Sequence, residues 1–303
     1  MSSTARVLVV GEALVDLVQR ADGSRHEAPG GSPANVALTL GRLGRHPLLL
    51  TSLGDDDRGH TVRAWLTASD VRVTGAGVGR TSTATAVLDA SGAASYEFDL
   101  AWDVDTALAE EAEVLHVGSV ATVLEPGATA VAALVAARRG AATISFDPNV
   151  RPALIDDVTA ARARVEQLVA LADVVKVSDE DLRWLFPDQS VEVAAAAWLA
   201  AGPAVVVVTL GGDGALALTA AGRVTVPAPQ VTVVDTVGAG DTFMGALLDG
   251  LIEVGLVGAD RRDALRKMPL GLLEQLLVRS AAAAAVTVSR PGADPPTRAE
   301  LAA

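Results

Sequence analysis

The sequence predicts an α/β fold in which a mostly parallel sheet has helices on both faces and carries a small β lid. Short Val- and Leu-rich runs alternate with Ala-rich helical stretches along the 303 residues, and this alternation is typical of right-handed βαβ units. The runs are mostly apolar, as expected of strands that are buried on both faces. Other segments alternate apolar and polar residues, which predicts a separate, half-exposed lid.

The apolar runs are predicted as strands of the main sheet and the Ala-rich stretches as the helices between them. The predicted strands are residues 6–10, 47–53, 114–117, 143–146, 174–177 and 204–210. The predicted helices are residues 33–43, 58–68, 126–139 and 158–172. After Thr242 the chain is predicted to be helical almost to its end.

The lid is predicted from residues 12–27 and 81–103. In the second segment, two alternating strands are joined by Ala90-Ser91-Gly92, which predicts a hairpin with a short turn. We expect the lid to lie over the carboxyl ends of the parallel strands, where ligands bind in open α/β sheets. Residues 1–303 are predicted to form one domain with this lid, since α/β chains of this length often fold around one sheet.

Composition and charge exclude several classes of partner. Acidic residues outnumber basic ones 37 to 24, for a net charge of -13, so nucleic acid and anionic membranes are not expected as partners. The longest apolar stretch, 193–210, is broken by Gly202 and Pro203 and cannot be a membrane span. There is no cysteine, which excludes disulfides and thiol chemistry. We expect a cytoplasmic protein.

The strongest chemical signal is a glycine-rich turn at residues 235–243, DTVGAGDTF, which leads directly into a predicted helix. Backbone N–H groups at such a helix start point at one spot together with the positive end of the helix dipole, and so make an anion site. Asp241 lies within that spot. It can act there on a bound group, or it can cap the helix, a role worth about 1 kcal/mol.

A second signal is the segment GGSPAN at residues 30–35. Ser32 can cap the next helix and Pro33 suits its first turn. The two glycines leave space beside the backbone, and Asn35 can both donate and accept hydrogen bonds towards that space, as recognition of a polyol requires. Taken alone, the segment is explained better by an ordinary helix start.

Together the two segments resemble the two signatures of the PfkB carbohydrate kinases, the ribokinase-like family. The first signature matches residues 30–37 and the second matches residues 235–248. Shorter likenesses occur at residues 11–16, 147–152, 208–214 and 289–294. Long patterns kept in order over nearly the whole chain are far more specific than a lone glycine motif. The resemblance implies a three-layer ribokinase-like fold and an ATP-dependent sugar kinase.

The resemblance also implies how the sugar is held and activated. Asp241 takes the proton from the sugar hydroxyl that attacks the γ-phosphoryl group of ATP. The backbone N–H groups implied to stabilise the transferred group are those of Gly238, Ala239 and Gly240. The residues implied to bind the sugar are Asp16, Gly30, Gly31 and Asn35.

On the nucleotide side, the resemblance places ATP against Thr209, Gly211 and Gly214, with Mg²⁺ between the phosphates and K⁺ near Asp235 and Val237. In place of the Asn-x-x-Glu motif that organises Mg²⁺ and phosphate in many members, this chain has SDED at residues 178–181. Ser178 and Asp181 can replace that motif through water, or can be the capped start of a helix. Lys176 is interpreted as a phosphate contact or as a solvated strand end.

Three further side chains near the lid or at a strand end are candidates for contact with substrate. Phe98 and Trp102 follow the hairpin and are predicted to lie over the substrate; alternatively, they pack within the lid or against a partner's lid. Arg151 can meet a substrate carboxylate, reach the ATP phosphates or brace its own loop. Because the hairpin is too small to bury much apolar surface alone, we expect a homodimer formed through the lid.

Residues 11–17, 28–37 and 147–154 most resemble the fructokinase branch, so fructose is the predicted substrate. The alternatives within the class are 2-keto-3-deoxygluconate kinase, with Arg151 on the carboxylate, and ribokinase or nucleoside kinase. A catalytically silent sugar-binding regulator is the alternative from another class. The intact Asp241 and anion site argue against it.

Overall fold

A computed structural model of the chain describes residues 5–19, 24–75, 77–88 and 94–302. The turn predicted at Ala90-Ser91-Gly92 lies outside these residues. The strands, in chain order, are β1 (Val7–Val10), β2 (Leu14–Gln19), β3 (Arg25–Gly30), β4 (Leu48–Leu50), β5 (Leu53–Gly54), β6 (Arg72–Thr74), β7 (Gly77–Val78), β8 (Thr83–Leu88), β9 (Ala94–Asp99), β10 (Val114–Gly118), β11 (Thr143–Asp147), β12 (Val174–Ser178), β13 (Val205–Thr209), β14 (Ala215–Thr219) and β15 (Gly222–Val226). The helices are α1 (Ser32–Arg42), α2 (Asp57–Thr67), α3 (Gly127–Arg138), α4 (Val158–Leu171), α5 (Asp179–Leu185), α6 (Val191–Ala201), α7 (Ala239–Glu253), α8 (Arg262–Arg266), α9 (Leu270–Val288) and α10 (Arg298–Leu301).

The main sheet has nine strands in the order β15-β14-β13-β12-β11-β10-β1-β4-β6. Its strands are parallel from β6 to β13, and only β14 and β15 run antiparallel to their neighbours. The predicted α/β class with a mostly parallel sheet is confirmed. Three strands at or near the two edges of the sheet, β6, β14 and β15, were not predicted from the sequence.

The side chains on the two faces of the sheet form two apolar clusters. One cluster joins β1, β12 and β13 to α1, α2, α7 and α9, and the other joins the opposite face to α3, α4, α5 and α6. Among the described helices, only α9 is long and apolar enough to cross a membrane. Its side chains Leu273, Leu277 and Ala283 are buried, so α9 is a helix of the protein core.

The lid is a separate four-stranded sheet in the order β3-β2-β8-β9. It includes a strand that the sequence analysis did not predict, because β3 has the sequence RHEAPG and shows no apolar alternation. Pro29 is tolerated there since β3 is an edge strand. The first lid segment therefore ends at Gly30, next to the start of α1, and not at residue 27.

Candidate active site

The starts of α1 and α7 bring Asp241 together with side chains that lie more than 200 positions away in the sequence. Asp241 is 6% exposed, and its Oδ1 accepts a hydrogen bond from Ser32 Oγ at 2.7 Å. Its Oδ2 accepts one from Asn35 Nδ2 at 2.8 Å. Asn149, which follows β11, places its Nδ2 3.4 Å from Oδ1. The carboxylate is thus held from both helix starts and from the end of a central strand.

The interpretation of Asp241 as a helix cap is wrong. The N-cap of α7 is Gly238, in the left-handed conformation at φ 76°, and no side chain caps this helix. Asp241 is the third residue of α7, and its carboxylate is directed at α1 and not at the backbone of its own first turn.

Ser32 is likewise not a cap. The N-cap of α1 is Gly31, at φ 105°, a conformation that side chains rarely adopt. Ser32 is the first helical residue, and its hydroxyl is free to donate to Asp241. Asn35 donates to the same carboxylate, while its own Oδ1 is buried without a hydrogen-bond partner among the described residues. That oxygen is a ready acceptor for a ligand hydroxyl.

The predicted anion site lies at the start of α7. The N–H of Ala239 is directed at the carbonyl of Thr236 at 3.3 Å and closes the turn. Among the described residues, no acceptor is recorded for the N–H groups of Gly238, Gly240 and Asp241. These three amides and the helix dipole are therefore available to an anion, with Asp241 replacing Ala239 in the predicted set.

On the lid side, Asp16 lies on β2 opposite the end of β3. A Cβ at Gly30 would collide with the Asp16 carboxylate, so glycine is needed there to make room for it. The pKa of Asp16 is raised to about 6, chiefly by burial; the charge of Arg151 acts against this rise and the charge of Asp241 contributes to it. The charges of Arg151 and Asp241 are therefore close enough to Asp16 to affect its pKa.

Arg151 braces its own loop, which is one of the roles predicted for it. Its Nη1 donates to the carbonyl and the Oδ1 of Asn149, at 2.9 and 2.6 Å, and to the carbonyl of Val150 at 3.1 Å. Asn149 has a positive φ of 37°, which Asn tolerates better than most residues. Through these bonds Arg151 fixes the amide that reaches Asp241.

Lys176 does not lie at a solvated strand end, contrary to one of the two interpretations. It lies inside β12 and is 4% exposed, with its Nζ 2.8 Å from Asp147 Oδ2. Burial alone would lower the pKa of Lys176, yet the carboxylates of Asp147, Asp241 and Asp181 raise it above its ordinary value. Burial also raises the pKa of Asp147 to about 6.

The chain is similar to known carbohydrate kinases over nearly its whole length. The model of the pfkB family carbohydrate kinases matches residues 4–300. The chain belongs to this family. It is 37% identical to a fructokinase of Rhizobium leguminosarum bv. trifolii over 284 residues, which cover 87% of this chain and 86% of that protein.

Solved structures of pfkB-type kinases share the fold. A fructokinase double mutant from Vibrio cholerae O395, in a form with fructose, ADP and potassium ion bound, superposes with a TM-score of 0.82 at 30% identity, covering 99% of this chain and 96% of that one. A fructokinase from Xylella fastidiosa with bound ATP has a TM-score of 0.86 at 25% identity, covering 98% of this chain and 97% of that one. The ribokinase-like fold class predicted from the sequence is confirmed.

The segment that replaces the Asn-x-x-Glu motif of many pfkB kinases is the start of α5. Ser178 caps this helix, since its Oγ accepts the N–H of Asp181 at 3.0 Å, as one of the two interpretations predicted. Asp181 Oδ1 accepts the N–H of Val150 at 3.1 Å, and burial raises the pKa of Asp181. Asp181 is therefore fixed beside the loop that carries Asn149 and Arg151.

The residues expected on the nucleotide side of a pfkB kinase form two turns. Thr209 ends β13, and the turn to β14 needs glycine at Gly211 and Gly214, whose φ angles are 54° and 100°. In the second turn, the Asp235 carboxylate accepts the N–H of Val237 at 3.0 Å and the N–H of Gly292 at 2.9 Å. Asp235 therefore ties the glycine-rich turn to the loop after α9.

Trp102 does not lie over the site, and this prediction is wrong. Its side chain is 4% exposed within the apolar core, and its indole N–H donates to the carbonyl of Ala121 at 3.1 Å. The ring lies against Gly127 at the start of α3, because Trp102 follows the lid and has already returned to the main body. Phe98 is half-buried on β9, opposite Ala84.

Sequence reasoning missed Glu12, Ser32, Asn149 and Asp147 as site residues. Glu12 directly follows Gly11 at the end of β1, is buried, and accepts the N–H of Ala121 at 3.3 Å. Burial raises its pKa to about 7. A polar side chain at or just beyond the end of an apolar strand is the signal that marks Glu12 after β1, and Asp147 and Asn149 at the end of β11.

Proposed function

We propose that the protein is an ATP-dependent fructokinase in which Asp241 is the catalytic base. The observation that carries this proposal is that the buried Asp241 carboxylate belongs to the first turn of α7, where three backbone N–H groups have no acceptor recorded among the described residues. A proton acceptor next to an anion site is what transfer of a phosphoryl group to a hydroxyl requires. The fructokinases named above support fructose as the acceptor.

In the proposed reaction, Asp241 accepts the proton of the attacking sugar hydroxyl. Ser32 and Asn35 donate to the two carboxylate oxygens and so keep Asp241 correctly oriented until the proton arrives. The amides of Gly238 and Gly240 stabilise negative charge on the transferred phosphoryl group, a role worth roughly 2.7 to 4 kcal/mol per donor in comparable sites.

The nucleotide is proposed to lie between the Thr209–Gly214 turn and the extended segment before α7. This segment exposes Val231, Val233, Val234 and Val237 to solvent, and Val233 is 61% exposed. Val234 and Asp235 are anchored by their N–H groups to the carbonyl of Val288 at the end of α9. An anchored row of exposed apolar side chains fits the flat face of a nucleotide base.

The residues present fit Mg²⁺ and K⁺ in different ways. The described residues contain no group of three or more His, Asp or Glu side chains spaced to hold a metal ion alone. Mg²⁺ is commonly held by one or two carboxylates, water and substrate phosphates, and Asp181 can supply such a carboxylate. Mg²⁺ would neutralise charge on the ATP phosphates. The Asp235 side chain is used by N–H groups, which leaves the carbonyl oxygens of Asp235 and Val237 for K⁺.

The sugar is proposed to lie between the lid and α1, against Asp16, Gly30, Gly31 and Asn35, with Phe98 at the lid. Asp16→Ala is expected to raise the KM for fructose by about tenfold or more with kcat nearly unchanged, because it removes hydrogen bonds made both before and during the reaction. Steady-state kinetics with fructose and ATP varied separately measure this. A rise in the KM for ATP instead would place Asp16 in the nucleotide site.

Asn35 is expected to behave differently from Asp16. Its amide holds Asp241 Oδ2, so Asn35→Ala is expected to lower kcat as well as raise the KM for fructose.

Substrate choice is expected to favour a neutral ketohexose. Asp16 and Asp241 carry negative charge on the sugar side, while the Arg151 guanidinium already donates to Asn149, so a carboxylate would meet more negative than positive charge. A coupled ADP-release assay is expected to rank fructose at least about tenfold in kcat/KM ahead of 2-keto-3-deoxygluconate, ribose and adenosine. A higher kcat/KM for the keto acid, lost in Arg151→Ala, would contradict the assignment.

The lid is proposed to mediate a homodimer in the cytoplasm. It is a four-stranded sheet with β3 and β9 at its edges, and a sheet of this size gains stability when a second layer covers it. Light scattering at micromolar concentration is expected to give twice the mass of 30.8 kDa. A monomer that phosphorylates fructose at the same rate would contradict this.

A further inference from the structure

A buried ion pair that the proposed reaction does not use joins the last residue of β11 to a residue within β12. Lys176 and Asp147 are 4% and 0% exposed, and Nζ lies 2.8 Å from Asp147 Oδ2. The pairing of β11 with β12 aligns Phe146 with Val175, so Asp147 and Lys176 are the next neighbours along the two strands. Strand register therefore brings the two side chains together.

The ammonium lies directly against the first turn of α7. A Cβ at Gly240 would be 2.8 Å from Lys176 Nζ, and Gly240 is the residue before Asp241. A cation is unfavourable at the positive end of a helix. A pair that served only to stabilise the fold would be better placed elsewhere, so its position points to an anion that joins it during function.

Both members of the pair also have spare hydrogen-bonding capacity. An ammonium has three donors, and within the described part of the chain the ion pair with Asp147 is the one close polar contact recorded for Lys176. Both carboxylate oxygens of Asp147 are buried there without a partner in hydrogen-bond geometry. Buried polar groups are normally satisfied, and exceptions are explained by function or by a bound molecule.

We propose that Asp147 holds Lys176 as a fixed cation for the phosphoryl group in transit, so that the ammonium stabilises the transition state and not bound ATP. This inference rests on the proposed phosphoryl transfer to a sugar hydroxyl. The attacking oxygen forms the new bond to γ-phosphorus as its proton passes to Asp241. The bond from γ-phosphorus to the bridging oxygen breaks, and its electron pair leaves with ADP. Lys176 stays protonated throughout.

The position of the Lys176 ammonium indicates that it stabilises the transition state and not bound ATP. Lys176 lies beside Gly240 and Asp241, where the hydroxyl attacks, and not on the Thr209–Gly214 turn. In such transfers the negative charge is spread over the three equatorial oxygens of the moving group. A cation at the acceptor end meets those oxygens as the group moves towards the sugar. Asp147 is then a positioning residue, since it touches Lys176 and not the substrate.

Lys176→Met is expected to lower kcat about 10²- to 10³-fold, as does loss of one donor in comparable sites, with the KM for ATP changed less than about threefold. Binding supplies an independent measurement. The variant is expected to bind ADP with magnesium, aluminium fluoride and fructose at least about tenfold more weakly than wild type, and to bind a non-hydrolysable ATP analogue as wild type does. Unchanged kcat with a raised KM for ATP would overturn the proposal.

The double variant Asp147→Asn with Lys176→Met separates function from folding. Removing both charges of a buried pair is often tolerated by the fold, so its melting temperature is expected to stay near wild type while turnover remains as low as in Lys176→Met. The control is Asp173→Asn with Arg262→Met, an ion pair outside the site with Nε–Oδ1 2.6 Å. Asp173 is buried and also binds Arg139, so this double variant is expected to lower the melting temperature and to retain turnover. Wild-type turnover in the first double variant would overturn the proposal.

The same experiments distinguish this proposal from the proposed function. If the wild type releases no ADP with fructose, the substrate assignment fails. The affinity of the protein for ADP with aluminium fluoride, measured with each candidate sugar, still tests the role of Lys176. If wild type and Lys176→Met bind this complex equally tightly, the role given to the ammonium is overturned.

Discussion

Asp241→Asn is expected to lower kcat for phosphoryl transfer by roughly 10²- to 10⁴-fold, the contribution typical of a general base. The amide has nearly the shape of the carboxylate and can still accept from Ser32 Oγ. Asn35 can turn its amide to present Oδ1, which has no recorded partner among the described residues, to the new Nδ2. Fold and binding should therefore survive, with fructose and ATP affinities within a few fold of wild type.

Single-turnover kinetics and calorimetric binding of both substrates check this expectation. The control is Asp173→Asn, another buried carboxylate, which binds Arg139 and Arg262. It is expected to lower the melting temperature and to retain kcat, the opposite of the result for Asp241. If Asp241→Asn lowers kcat only a few fold, the carboxylate positions Ser32 and Asn35 and is not the catalytic base.

The parallel sheet could be predicted because its signal is local. A strand buried on both faces is apolar along most of its length, so runs such as Val7–Val10 and Val205–Thr209 stand out from any context. The edge strand β15 has the sequence GRVTV and the lid strand β3 contains Pro29. Such strands form because a neighbouring strand pairs with them, and their own residues do not predict a strand.

The site could be predicted in part, for the same reason. The glycine-rich turn at the start of α7 predicts an anion site from its own residues, and the structure places amides without a recorded acceptor there. The partners of Asp241 could not be found in this way, because Ser32 and Asp241 meet only through the packing of α1 against α7. Ser32 also fits a cap, and no local signal decides between the two roles.

The sequence alone does not decide whether Lys176 is exposed to solvent or buried. Its position near the end of an apolar run is compatible with solvent or with a buried partner. The choice depends on Asp147, which lies on a different strand and reaches it through the register of β11 and β12. Charged residues at the carboxyl ends of neighbouring parallel strands are best interpreted as a set, since that sheet edge brings them together.

Asp249→Ala is expected to lower the free energy of unfolding by about 3 to 5 kcal/mol, the loss typical when one partner of a buried ion pair is removed. Asp249 lies on α7 and is fully buried. Its two oxygens bind Arg45 at 2.5 Å, Arg279 at 2.5 Å and Arg298 at 2.6 Å. These arginines come from the loop after α1, from α9 and from α10, so one carboxylate joins the helices of one face of the sheet.

Urea unfolding followed by circular dichroism measures this loss, and Arg298→Ala is its matched control. The side chain of Arg298 is 44% exposed, so its removal is expected to lower the free energy of unfolding by about 1 kcal/mol or less. Asp249 lies eight residues beyond Asp241 on α7, or about 12 Å along the helix, so the folded variant is expected to retain kcat. A loss below about 1 kcal/mol in Asp249→Ala would mean that water replaces the carboxylate for all three arginines, and that apolar packing alone holds α7 and Asp241 in place.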